Sequence, residues 1–429
     1  MSSPLHRREF IKRSGLLAAG LSAWQSASLL RGADSPGEKI VLAVMGTNGR
    51  GLDLIAGFTA IPGVEIAYIC DVDTRAIAKG ITATNRKQAK EPKGLGDFRR
   101  ALDDKEVDAL VIAAPDHWHG PATIMACAAG KHVYVEKPAC HNPHEGELMI
   151  AAARKHRRVV QLGTQRRSMP GIIEAIDKLQ AGAIGPVRYA RAWYNNARGT
   201  IGRGQVVPVP SWLEYSLWQG PAPERPYHDN VIHYNWHWFW HWGTGELGNN
   251  GIHALDVCRW GLGVEFPHRV TSGGGRYHFQ DDWETPDTQV VTYDFGDKGL
   301  VWEGHSCDPY DAEHTGFGAS FYGDGGAMVV GSSGYRILDG KGKEVSQGSG
   351  PGSDSPHQRN FLDCIRSGKS PNAEIEVGFK STLLCHLGNI AQRTGRTVSL
   401  DPDTHRITGD LNAAALWRRE YRPGWEPRF

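Results

Sequence analysis

Six consecutive residues, Gly46-Thr47-Asn48-Gly49-Arg50-Gly51, have the types and spacing to hold a pyrophosphate. Gly46 permits a sharp turn, and Gly51 permits a helix to pack closely on a strand. Backbone N–H groups at the helix start then face the anion. Asn48 stands at the middle position of the G-x-G-x-x-G pattern. Asn tolerates left-handed backbone, and Gly49 is its neighbour. Asp71 lies about 20 residues further on, where an acid binds the hydroxyls of an adenosine ribose. Its charge would repel a 2′-phosphate, which favours NAD over NADP, although Arg75 nearby weakens the preference. An acid here can equally cap a helix starting near Thr74, and the Asp71–Asp73 pair can serve both purposes.

A second group of candidates lies in the aromatic segment 227–242, where His233, His237 and His241 recur at every fourth residue. On a helix they would stack on one face, yet Trp alternates there with the period of a strand. No Cys or carboxylate joins them at ligand spacing, so no metal is expected. The leading expectation is core packing. The functional alternative is a carbohydrate platform in which Trp236 and His237 meet ring faces and hydroxyls. Gln165 and Arg166 follow another apolar run and are further candidates for facing substrate.

These residues need elements to position them. Residues 39–45 form a continuous apolar run, as a buried parallel strand requires, and residues 52–58 can continue the glycine turn as a helix. Further buried runs at 64–70, 107–114, 131–135 and 159–163 alternate with helical stretches, including 143–157. Repeated βα units predict a doubly wound parallel sheet of α/β class, with ligands at the strand C-ends. The run 107–114 ends in Pro115-Asp116-His117-Trp118-His119, and the run 131–135 in Glu136-Lys137-Pro138.

The chain has 429 residues, a formal net charge of +1 and no charged block, so two domains are expected and nothing favours nucleic acid. The seven cysteines are widely spaced with no C-x-x-C, which argues against a zinc ribbon, a redox pair or a disulfide framework. Cys70 and Cys127 sit in apolar runs and read as buried thiols. At the N-terminus, Arg7-Arg8-Glu9-Phe10-Ile11-Lys12 and a mildly apolar stretch to about Ala33 read as a twin-arginine (Tat) export signal. The expected location is periplasmic or otherwise exported, with the Tat machinery as partner.

The glycine turn, Asp71, the strand end at 115–119, Glu136-Lys137-Pro138 and Gly251-Ile252-His253-Ala254-Leu255-Asp256 together resemble the Gfo/Idh/MocA oxidoreductase family. The resemblance spans residues 38–395. It implies an N-terminal Rossmann domain at 38–163 and, at 164–395, an α+β domain with an open-faced, mostly antiparallel sheet. Strand-like runs at 187–194, 269–279, 288–295 and 299–305 agree, with helices from about 355 to 392 packing back on the core. Residues 340–355 read as a loop. The tail 396–429 reads as an arm over a neighbouring subunit of a homodimer or homotetramer.

The resemblance assigns Lys137 to the place beside the nicotinamide, holding the reacting hydroxyl, and His253 to the base that takes its proton. It makes Gly46 to Gly51, Asp71, Pro115, His119, Glu136 and Lys137 the cofactor-binding set. Such groups suit the chemistry. A carbinol loses hydride only as its O–H proton leaves, imidazole accepts that proton, and an ammonium stabilises the developing oxygen charge. Polyol dehydrogenases of the family carry Asp four residues before that His, where this chain has Asn249. Asn249 remains a substrate-side candidate, but it cannot accept a proton. Asp256, three residues after His253, is read as orienting the ring at the substrate site; otherwise it is a helix-surface acid. The expected activity is NAD-dependent oxidation of a hydroxyl on a sugar, glycoside or polyol. An NAD-dependent glycosidase and a non-catalytic sugar-binding protein are the alternatives.

Overall fold

A computed structural model of the chain describes residues 39–310 and 315–428. The export signal expected at 1–33 lies outside the described residues. The first sheet has six strands: β1 (Ile40–Met45), β2 (Val64–Cys70), β3 (Lys93–Leu95), β4 (Ala109–Ile112), β5 (His132–Val135) and β6 (Val160–Leu162). They run parallel in the order β3-β2-β1-β4-β5-β6, the doubly wound arrangement whose order reverses between β1 and β4. β4 is buried along its whole length because helices cover both sheet faces, which is why it reads as unbroken apolar sequence.

Helix α1 (Arg50–Thr59) follows β1 through the glycine turn, and α2 (Thr74–Asn85) follows β2. Asp73 caps α2 by accepting the Arg75 N–H at 2.8 Å. Helix α3 (Asp116–Ala128) starts directly at the end of β4, and α4 (Pro143–His156) is capped by Asn142.

The second sheet has ten strands, all antiparallel to their neighbours except β10 (Gly299–His305) on β7 (Val187–Asn195). Helices α5 (Ile252–Leu262) and α6 (Ile375–Thr394) cover one face. The strand β9 (Thr288–Asp294) alternates buried and exposed residues as a half-covered strand must. Tyr189, Val290 and Tyr322 stand exposed on the open face.

One expectation fails here. Residues 340–355 are not all loop: Glu344–Ser349 forms an edge strand paired with Gly334–Asp339. Its composition is polar because an edge strand pairs on one side only and most of its residues face water. The tail 396–429, expected as an arm, also makes contacts within its own chain. Val398–Leu400 extends the second sheet beside Arg269–Gly275, and the chain then crosses back to the Rossmann half. There Trp417 Nε1 donates to Glu147 at 3.0 Å, Tyr421 donates to Glu145 at 2.8 Å, and Trp425 meets Trp118 edge-on at 5.5 Å. Its aromatic rings bury on its own chain. All seven cysteines are free, and six are buried, including Cys70 and Cys127. Among the described residues, no helix is long and apolar enough to cross a membrane.

Candidate active site

A cleft of about 350 Å³ opens at the carboxyl ends of the parallel strands and reaches the loops of the second domain. One end is built from backbone. Gly46 has φ +87°, and a Cβ there would sit 2.5 Å from the Ala113 carbonyl oxygen. A Cβ on Gly51 would stand 1.9 Å from the Gly46 carbonyl oxygen, so α1 approaches the turn as closely as backbone allows. Gly49 has open space where a Cβ would be, and no side chain caps α1. Its first N–H groups are therefore available to an anion in the cleft. Asp71, at the end of β2, accepts the Thr47 N–H at 2.7 Å and the Asp73 N–H at 3.0 Å. Each carboxylate oxygen keeps a lone pair for a ribose hydroxyl. Burial raises the pKa of Asp71, with the two N–H donors pulling it back down. These residues fit a dinucleotide.

The far end is built from side chains. Lys137 follows β5, and its Nζ donates to the Asn249 backbone oxygen at 2.8 Å and to Asn249 Oδ1 at 3.0 Å. Asn249 lies in a single wide turn, Leu247–Gly251, that leads into α5. Its Nδ2 contacts Glu246 Oε1 at 3.3 Å. Glu246 is held on both oxygens by Arg198, whose Nη1 donates to the Tyr234 hydroxyl at 2.8 Å. Burial is the first cause that lowers the Lys137 pKa. The carboxylates of Glu136, Asp116 and Glu246 pull it up, and Arg50 pushes it down.

Two histidines feel the charge of this lysine, and of the two only His237 is among the residues that line the cleft. His237 lines the cleft, and its ring stacks on Trp236 with centroids 3.6 Å apart. Its Nδ1 donates to the Tyr234 oxygen at 2.6 Å, which leaves Nε2 as an acceptor. His253 opens α5, and its Nδ1 is buried without a partner. Burial and then the Lys137 charge hold both rings well below the ordinary histidine pKa, so both are neutral.

Gly46 to Arg50, Asp71, Pro115, His119, Glu136, Lys137, Trp236, His237 and Asn249 all line the cleft. Several of the roles expected for site residues change. Asp256 does not orient His253: it faces the other side of α5, where Arg167 Nε and Nη2 grip it at 2.8 Å and Ser381 donates at 2.6 Å. Residues three apart share a helix face only approximately, and a buried guanidinium on that side claims the carboxylate. Gln165 faces Arg50 instead of substrate. With its amide nitrogen donating to the Gly163 oxygen at 2.6 Å, its oxygen accepts Arg50 Nη2 at 2.9 Å. Glu136 likewise holds Arg50, accepting Nε at 2.8 Å, so it anchors the glycine turn. His119 offers no nitrogen to a cofactor, because its two nitrogens meet the carbonyl oxygens of Pro138 and Ala114 at 2.6 and 2.8 Å.

The segment 227–242 is neither helix nor strand, apart from one tight turn at Asn235–Trp238. His233 bonds Asp73, His237 bonds Tyr234 and His241 bonds Pro223, so the regular spacing of the three histidines places them apart. Trp238 stacks on Trp283 and Trp242 meets Trp218, each in a different neighbourhood. No group of three or more His, Cys, Asp or Glu among the described residues is arranged for a metal.

Sequence reasoning missed Glu246, Arg198 and Asp116. Asp116 is buried and accepts the Thr244 hydroxyl at 2.6 Å, and its charge reaches Lys137. Glu246 was detectable as an acid one helical turn before Asn249. Arg198 carries no local signal, because it meets Glu246 only in the fold.

Fold and cleft together define a two-domain, dinucleotide-dependent protein. The chain belongs to the Gfo/Idh/MocA oxidoreductase family: residues 40–164 match its NAD-binding Rossmann fold and residues 191–427 its C-terminal alpha/beta domain. It is similar to scyllo-inositol 2-dehydrogenase (NAD(+)) of Bacillus subtilis, 24% identical over 360 residues, or 80% of this chain and 91% of that protein. It is also similar to a glycosyl hydrolase family 109 protein of Saccharopolyspora erythraea, 33% identical over 181 residues. That match spans 38% of this chain and only 39% of the relative. The fold is shared with an aldose-aldose oxidoreductase of Caulobacter crescentus complexed with glycerol (TM-score 0.65, 21% identity, 85% of this chain and 100% of that one). A levoglucosan dehydrogenase in complex with NADH and levoglucosan shares it too (TM-score 0.66, 16% identity, 84% and 99%).

Proposed function

We propose that the protein oxidises a hydroxyl of a sugar, glycoside or polyol with NAD in preference to NADP. The observation that carries this reading is Lys137, a half-buried ammonium held by both oxygens of Asn249 at the end of a dinucleotide cleft. When bound there, the nicotinamide supplies the hydride acceptor. Lys137 holds the substrate oxygen and stabilises the charge that develops on it. His253 presents an unspent Nδ1 and, being neutral, takes the hydroxyl proton. Trp236 and His237 offer a flat face and an acceptor to the sugar ring. Asp71 favours NAD because its carboxylate repels a 2′-phosphate. The similarity to levoglucosan and inositol dehydrogenases supports the substrate class. The test is to purify the protein, assay for retained NAD(H) and screen sugars and polyols at the NADH absorbance band. A protein that binds NAD but reduces none of it with any polyol would overturn the reading.

A second reading rests on the glycosyl hydrolase family 109 relative. Here the ring carbon is oxidised transiently, the aglycone leaves with loss of a proton from the carbon beside the carbonyl, water adds across the resulting double bond and the carbonyl is reduced again. Aglycone release without net NADH would select it. In either case we place the protein outside the cytoplasm, delivered folded by the Tat route. Changing Arg7 and Arg8 together to Lys should leave precursor inside the cell, and normal export of that variant would refute this.

A further inference from the structure

Seven arginines among the described residues grip a carboxylate by the same edge of the guanidinium, the one formed by Nε and Nη2; two of them are Arg188 on Asp324 and Arg198 on Glu246. The others are Arg75 on Asp73, Arg99 on Asp97, Arg167 on Asp256, Arg191 on Glu303 and Arg269 on Asp294. Arg166 is adjacent to one of them and has no such partner. Its Nη1 is tied to the carbonyl oxygens of Gly331 at 2.8 Å and Ser332 at 3.0 Å. Its guanidinium lies over the Phe317 ring, 4.0 Å from the centroid. The Nε–Nη2 edge is thus fixed in place, and no carboxylate of the described residues occupies it.

The other arginines of the site show how unusual this is. Arg50 is offset by Glu136 and Asp354, and Arg198 by Glu246. For Arg166 burial alone acts, lowering its pKa to about 10 with no acid to oppose it. Arg166 is half-buried, and a partly desolvated cation without a counter-charge is costly, so proteins pair such groups with a charge of their own or a ligand's. The residue stands in the turn directly after β6, on the strand C-end side where ligands bind. It is the chain neighbour of Gln165, whose amide oxygen accepts from Arg50 of the cleft.

We infer that Arg166 is a carboxylate-binding subsite and that the substrate is a sugar acid, an aldonate or uronate, gripped by the Nε–Nη2 edge. This rests on the dehydrogenase reading and narrows it. A planar carboxylate matches that edge with two parallel N–H···O bonds. A sugar phosphate shares the charge but not the planar match, and it forms a separate arm of the test.

The experiment titrates the purified protein with D-glucuronate, D-gluconate, D-glucose and D-glucose 6-phosphate, reading tryptophan fluorescence. Turnover with NAD is measured in parallel. The acids should bind roughly 10- to 100-fold more tightly than glucose, the strength of a charge-assisted pair. Arg166→Gln should erase the difference, raising the KM for the acids while kcat and NADH binding hold. Arg166→Lys, which keeps charge and bulk, should recover part of it and guards against a folding artefact. Acid binding that depends on Arg166 without turnover would support the subsite and sink the dehydrogenase. Glucose turned over as well as the acids, with Arg166→Gln unchanged, would overturn the subsite and leave the dehydrogenase standing. Tightest binding of the phosphate would overturn the carboxylate assignment. Binding of none of the four would overturn the inference.

Discussion

The two ends of the cleft are made by different means. At the nucleotide end the binding groups are mostly main chain, a turn at Gly46 and the uncapped start of α1, joined by one carboxylate, Asp71, which the Thr47 N–H holds in place. Six consecutive residues and one strand end suffice, and the sheet fixes them. At the reaction end the groups are side chains on segments far apart in sequence. Lys137 comes from the first domain, Asn249 and His253 from the turn into α5, and Arg198 from the residues after β7. A backbone site tolerates little change at its glycines. A side-chain site depends on a chain of contacts, and each link can be altered alone.

The sharpest way to separate the ends is at Lys137 and His253. Each changed to Ala should lower kcat by about 10²–10⁴-fold, the range for removing a general base or an oxyanion partner. NADH affinity should stay within a few-fold, because neither residue belongs to the backbone cradle. Loss of NADH binding in either variant would break the division. Full activity in His253→Ala would move the base to His237, whose Nε2 is the other free acceptor.

Asp256 marks the boundary. It is 1% exposed and pairs with Arg167, itself 7% exposed, so Asp256→Ala strands a buried cation. The expected cost is about 3–5 kcal/mol of stability. Thermal unfolding checks this. KM for sugar and for NAD should be unchanged at a temperature where the variant is folded; a change in sugar KM without loss of Tm would return Asp256 to the substrate site.

At the nucleotide end the expected effect is smaller. Asp71→Ala should weaken NAD about tenfold and let NADP bind comparably, with kcat unchanged at saturation. Equal and unaltered affinities for both cofactors would remove Asp71 from the ribose. A stability loss could accompany the change, since Asp71 also receives the Thr47 and Asp73 N–H groups.

The same division explains what could be read in the sequence. The Rossmann sheet was legible because its strands are buried on both faces and its turn is written in adjacent glycines. Lys137 was legible through its family setting. Asp256 misled because spacing along a helix says which residues share a face, not which partner waits opposite. The histidines at 233, 237 and 241 misled in the same way, because the backbone there follows neither period. The Gly/Ser-rich strand at 344–349 stayed hidden because a polar edge strand has the composition of a loop. The tail's destination on its own Rossmann helices depends on contacts such as Tyr421 with Glu145, across most of the chain. Arg198 and Glu246 meet in the same long-range way.

That pair allows the finest test of the reaction end. The Asp of related polyol dehydrogenases is Asn249 here, so no carboxylate touches Lys137 Nζ at that position. The nearest counterpart on the same turn is Glu246, three residues earlier, linked to Lys137 through Asn249. Its charge raises the Lys137 pKa against the burial that lowers it. Glu246→Gln removes that support, so the Lys137 pKa falls further and the ammonium is lost at a lower pH. The alkaline limb of kcat/KM should therefore move acidward. Activity should drop about two- to tenfold on that limb and less than twofold on the plateau. Asn249→Asp works in the opposite direction. A carboxylate placed on Lys137 raises its pKa and that of His253 one turn away, so the alkaline and acid limbs both move to higher pH. A purely structural role for the Arg198–Glu246 pair would lower activity equally at every pH. Superimposable normalised profiles for wild type and Glu246→Gln would thus show that the carboxylate only holds the turn and does not tune the lysine.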